Sequence, residues 1–169
     1  MTPAPRPERR KGKAPARSAR RSPRRDERQA HSDPLPPPRL AGDEVETLQR
    51  VYIDLLGFVP PRIAARTNLL SRLDPEGLRL QEEMRRHFMH PACFDVKTAQ
   101  LMLFGMLLVN LQDASMLHAQ AARRAGATWE ELSAVVGLGF LFRGLSAANL
   151  GAQILQEIAG KETQGGGSG

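Results

Sequence analysis

The chain has little of several things: one cysteine, Cys93, one tryptophan and one tyrosine in 169 residues. A lone thiol excludes an internal disulfide framework, a CxxC redox pair and a thiolate-rich zinc site within one chain, and it points to a reducing, cytoplasmic setting. Long hydrophobic runs are missing too. Leu101 to Val109 and Ala134 to Phe142 are the longest, about half the eighteen or so apolar residues of a membrane helix. The first thirty residues lack the apolar block of a secretory signal, and Glu8, Asp26 and Glu27 among their prolines argue against an amphipathic transit peptide.

The formal charge of +6 is unevenly placed. Residues 1 to 39 carry twelve Lys/Arg against four Asp/Glu and hold nine of the thirteen prolines; residues 40 to 169 carry twelve against fourteen. The basic excess is therefore local and describes no folded cleft. With Leu35 as the one large aliphatic residue besides Met1 up to Arg39, the segment 1–40 buries too little to offset the entropy of ordering, and a disordered tail is expected. Its Arg clusters would draw nucleic acid or an anionic surface without sequence selectivity. No aromatic residue is interleaved for base stacking, which favours a plain solubilising extension. Residues 161–169 have the composition of a flexible Gly-rich tail.

Between residues 43 and 160 apolar positions recur at helical spacing, and an all-α bundle of six to seven helices is predicted. Asp43 is the expected cap of a first helix that Gly57 ends, and a second runs from Pro61 to about Arg72. Asp74 and Pro75 open a third, to about His87. Asp95 precedes the most apolar helix, Val96 to Val109, expected at the centre of the core with Met102 and Met106 as packing residues. A fifth covers about Gln112 to Ala125. Thr128 with Glu131 forms a capping box for a sixth, to about Arg143, and a seventh spans about Leu145 to Ala159. Glu82-Glu83 and Arg85-Arg86 are i,i+3 charge pairs, expected on a solvated face.

Chemistry concentrates between Asp95 and Ala152. The order Lys97-Thr98-Ala99-Gln100-Leu101, then Asp113 through His118 to Ala127-Thr128-Trp129-Glu130-Glu131-Leu132, then Phe142-Arg143-Gly144, resembles the carboxymuconolactone decarboxylase family, which includes the alkylhydroperoxidase D group. Leu56-Gly57-Phe58-Val59-Pro60-Pro61 is similar to the family's leader segment. The resemblance implies a cofactor-free helical homo-oligomer, a trimer or hexamer, with clefts near the histidine. The peroxidase branch has a CxxCxxxH motif whose positions here are Leu111, Ala114 and His118, so both thiols of that chemistry are absent. The decarboxylase branch implies a lyase or isomerase acting on a small anionic unsaturated lactone or carbonyl compound. His118 is then the acid/base group, with Gln100 at the relay position. Arg143, Arg124 and Ser115 are the substrate-binding candidates, Arg143 the best placed. No metal constellation stands out.

The sequence also departs from the family pattern. Ala99-Gln100 replaces an Arg-Glu pair, Ala134 stands near a second missing Glu, and the Tyr-x-Gly-x-Pro corner reads Phe142-Arg143-Gly144-Leu145-Ser146. A glutamine accepts a hydrogen bond but transfers no proton near neutral pH, so His118 is expected to lose the partner that sets its tautomer and pKa. Asp113, five residues before His118, points elsewhere on an ideal helix. The competing expectations are a packing histidine satisfied by Ser115 or a backbone carbonyl, and a non-catalytic assembly or binding protein. Hydroperoxide reduction ranks last. The tail yields one prediction: any nucleic-acid binding weakens with salt and disappears when residues 1–39 are removed, as gel-shift titration would show. Undiminished binding by the truncated chain would place the basic surface elsewhere.

Overall fold

A computed structural model describes residues 34–165, and every regular element among them is helical. The elements are α1 (Gly42–Leu56), α2 (Pro61–Leu73), α3 (Pro75–Met89), α4 (Val96–Val109), α5 (Ser115–Arg124), α6 (Trp129–Arg143) and α7 (Leu145–Gly165). None is long and apolar enough to cross a membrane. The expected disorder of the tail concerns residues that lie, up to Asp33, outside the described ones.

Local chemistry sets most boundaries. Asp74 accepts from the Gly77 amide at 2.9 Å and Asp95 from that of Thr98 at 2.6 Å, capping α3 and α4. Thr128 and Glu131 exchange both bonds of a capping box at the start of α6. Gly57, at φ 86°, takes the left-handed conformation that ends α1. Four boundaries differ from expectation. Ala41 rather than Asp43 caps α1, and the Asp43 carboxylate turns to the neighbouring Glu44 amide. The compact unit begins at Pro36, and the amides of Arg39 and Leu40 both donate to the Ser71 carbonyl near the end of α2. α5 starts three residues late, after a turn in which Leu111 reaches φ 53°. α7 continues past Ala159 to Gly165, since Arg123 holds Glu162 on its last turns (Nε to Oε1, 3.1 Å); only residues 166–169 of the expected Gly-rich tail lie outside the described ones.

α4 packs on α5 and α6, α7 closes against α6, and α1 joins this group through α5 while α2 and α3 follow on from it. Phe104 and Leu108 of α4 meet Ala119 and Ala122 of α5, Leu132 of α6 and Ile154 and Ile158 of α7 in one buried cluster. Truncating a fully buried Phe or Leu of this kind costs roughly 3–5 kcal/mol. α4 is central on one side only. Met102 and Met106 face outward, Met106 with 55% of its surface exposed, so they are not the core residues expected.

The α6–α7 seam depends on a missing methyl. A Cβ on Gly151 would stand 2.5 Å from Val136 Cγ2 and 2.7 Å from its Cγ1, and the β-branched valine has little rotamer freedom with which to yield. Alanine normally favours a helix over glycine by about 1 kcal/mol. At this position Gly151→Ala is instead expected to destabilise the chain by roughly 1–3 kcal/mol in urea denaturation, the cost of overpacking.

Candidate acid/base cleft

His118 sits on α5 and faces a cleft of about 490 Å3. α1 contributes Tyr52, Leu55 and Leu56; the α1–α2 turn and α2 contribute Pro60, Pro61, Arg62 and Ile63; α3 contributes Arg85 and Met89; Asp113, Ala114 and Leu117 complete the wall. The surface is mostly aliphatic, with a few convergent polar groups, as small-molecule sites are.

Gln100, fully buried on α4, places its Oε1 2.7 Å from His118 Nδ1. An amide oxygen only accepts, so Nδ1 carries the hydrogen and donates it, leaving Nε2 as an unprotonated acceptor. Nε2 has no hydrogen-bond partner among the described residues. Burial, with the positive charge of Arg85 second, pushes the imidazole down from its ordinary 6.5 to about 4. The ring is therefore neutral at pH 7, with one nitrogen fixed and the other available. Gln100 thus supplies the tautomer-setting bond that a glutamine had been expected to forfeit. Its own Nε2 is buried without a partner, a cost of about 1–3 kcal/mol.

Beside the histidine lies a group of charges that includes Glu82 and Arg85, expected from the sequence on a solvated face. Glu82 is 2% exposed. The Tyr52 hydroxyl donates to both of its oxygens, at 2.9 and 3.1 Å, and Arg66 pairs with Oε1. Burial raises the Tyr52 phenol to about 12, which keeps the donor protonated. Arg85 lies over the Tyr52 ring, 3.9 Å from its centre, with Nη1 3.8 Å from Glu82 Oε2. Glu82 and Arg85 therefore do not belong to a solvated face. Leu78 and Met89 share their side of α3, one helical stripe interrupted by two charges, and that interruption was the available signal.

The other candidate residues lie elsewhere. Ser115 is buried, but its hydroxyl donates to the Gln112 carbonyl at 2.6 Å and closes the turn before α5 instead of meeting His118. Arg124, six positions after His118, projects from another side of α5, and its Nη1 would lie 3.1 Å from a Cβ on Gly57. Arg143 is exposed in the last turn of α6 and does not line the cleft. Asp113 does line it: residues 110–114 form a turn, so ideal helical spacing does not apply, and its carboxylate meets Arg62 at 3.2 Å at the exposed rim. Cys93 is an exposed free thiol in the α3–α4 loop, away from the cleft walls. Among the described residues no three His, Cys, Asp or Glu side chains gather as a metal site would require.

Compared with protein-family models, with curated proteins and with solved structures, the chain matches none.

The depressed imidazole has a consequence for stability. Unfolded, His118 takes up its proton near pH 6.5; folded, it resists until about 4. Its contribution is complete above pH 6.5 and is lost as pH falls through 4, and the gap corresponds to roughly 3 kcal/mol. Urea denaturation across that window should show the loss, and His118→Gln, which does not titrate, should flatten the slope by a similar amount.

Proposed function

We propose that the cleft is an acid/base site for a small anionic unsaturated lactone or carbonyl compound, with His118 as the proton-transferring group and Arg85 as the anchor for the anion. One observation carries the reading: a neutral imidazole with its Nδ1–H on Gln100 lines an open, largely aliphatic cleft next to an arginine. A merely structural histidine has no need of that arrangement.

The protonation state favours isomerisation within the lyase-or-isomerase class. Loss of carbon dioxide leaves an enolate that must be protonated, and a neutral imidazole whose one N–H points at Gln100 has no proton to give. As a base the same ring is ready. Nε2 takes a proton from the carbon next to the substrate carbonyl, and the C–H electron pair moves into the conjugated system as an enolate. The imidazolium then returns the proton to the far end of that system, so the double bond shifts and nothing is gained or lost. A carboxylate seated on Arg85 would offset the positive field that depresses the imidazole, making His118 a better base when substrate is present. This is the isomerase form of the chemistry that the resemblance to the carboxymuconolactone decarboxylase family implies, in a cofactor-free, cytoplasmic setting.

A second reading, a non-catalytic assembly protein, draws on the corner between α6 and α7, where Leu138, Leu141, Phe142 and Leu145 are exposed, Phe142 by 84%. An apolar patch of this kind is suited to burial against another copy, in keeping with the trimer or hexamer that the resemblance implies. The two readings part on turnover. In deuterated water the chain should incorporate deuterium into a β,γ-unsaturated lactone carboxylate as its double bond shifts. His118→Ala should lower the rate at least about 100-fold, and Cys93→Ser should leave it unchanged. Gln100→Glu should raise the acid limb of the pH–rate profile by roughly 1–3 units, because a carboxylate at Nδ1 stabilises the imidazolium. Exchange that survives His118→Ala would remove the catalytic role.

A further inference from the structure

The charges around the cleft restrict its ligand further. We infer that it accepts a monocarboxylate with an apolar body and discriminates against dicarboxylates. The inference rests on the cleft being a ligand site and not on proton transfer at His118.

Two cations line the cleft, Arg62 and Arg85, and one anion, Asp113. Arg62 and Asp113 form an ion pair 3.2 Å apart at the rim, more than three quarters exposed on both sides. Such a pair is worth little to stability, but it leaves no net charge there, and Asp113 would repel a second carboxylate brought to Arg62. Glu82 is already matched by Arg66 behind the wall. Arg85 shares the same carboxylate, Nη1 3.8 Å from Oε2, so the three groups together keep one net positive charge, and of the two arginines only Arg85 lines the cleft.

Arg85 is also the group with donors to spare. Its buried Nη1 faces Glu82 Oε2 at 3.8 Å, beyond hydrogen-bond reach, and the rest of the guanidinium makes no hydrogen bond among the described residues. The Tyr52 ring lies beneath it, 3.9 Å from its central carbon. A guanidinium seated on an aromatic ring and free of hydrogen bonds can receive a carboxylate through its planar fork of N–H groups. Leu55, Pro61, Ile63 and Leu117 offer only aliphatic side chains to a second anionic group. A dianion would have to place one carboxylate on aliphatic carbon or beside Asp113, and both placements are unfavourable.

Calorimetric titration of the full chain with a matched series tests this: trans-cinnamate as monoanion, cinnamamide as its neutral counterpart and 4-carboxycinnamate as dianion. Cinnamate should bind about ten-fold or more tighter than either of the others, the worth of one charge-assisted hydrogen-bonded pair. Arg85→Met should bring cinnamate down to the level of cinnamamide and leave cinnamamide unchanged. Asp113→Asn, at an exposed position where folding is not at stake, should free Arg62 and raise the affinity for 4-carboxycinnamate more than that for cinnamate. Binding of 4-carboxycinnamate as tight as that of cinnamate by the unmodified chain, or no preference for cinnamate over its amide, would overturn the inference. Cinnamate binding without deuterium exchange in the lactone assay would uphold it while removing the proton-transfer reading; exchange together with a preference for the dianion would do the reverse.

Discussion

The hydrogen bond between His118 Nδ1 and Gln100 Oε1 joins α4 to α5 inside the buried seam and decides what the cleft can do. Each of its properties has a separate origin. The acceptor-only amide oxygen selects the tautomer, burial and the Arg85 charge keep the ring neutral, and the packing of α4 on α5 holds the pair in place. Phe104 and Leu108 lie along the face of α4 that also carries Gln100, so the apolar core and the polar pair are built on one stripe.

Around that bond the molecule spends its buried polarity economically. Glu82 satisfies a tyrosine and an arginine, the tyrosine supports a second arginine, and that arginine is left with free donors at the cleft wall. Removing the carboxylate would leave two guanidinium groups near each other without compensation, which is why a buried acid in this place is an organising group more than a stabilising one. Positive charge near the imidazole and its removal by a carboxylate ligand give a direct physical route from binding to basicity.

The helical architecture was legible because its signals are local. Asp74 with Pro75, Asp95, and Thr128 with Glu131 act within one turn of chain and cap the helices they were expected to cap. His118 and Gln100 were also visible, although the conclusion drawn from the glutamine was too pessimistic: it lacks the proton of a carboxylic acid but keeps the geometry of an acceptor. What stayed hidden depends on tertiary placement. The Leu78 and Met89 stripe is the one local hint that Glu82 and Arg85 differ from the solvated pair they resemble, and their burial follows from Tyr52, brought against them from α1. Arg124 and Arg143 were favoured for being near the histidine in sequence or at a motif corner, and the helix turns them to other surfaces. Met102 and Met106 have the composition of a core and the exposure of a surface.

The central claim is that His118 is neutral, with its hydrogen on Nδ1 and Nε2 bare toward the cleft. Nitrogen-15 spectroscopy of the histidine rings, with His118 assigned by its loss in His118→Ala, reads this directly. A pyridine-type signal from Nε2 and a pyrrole-type signal from Nδ1 at pH 7, giving way to the imidazolium pattern only near pH 4, is the predicted result. An imidazolium pattern at pH 7, or a pyridine-type Nδ1, would contradict the account.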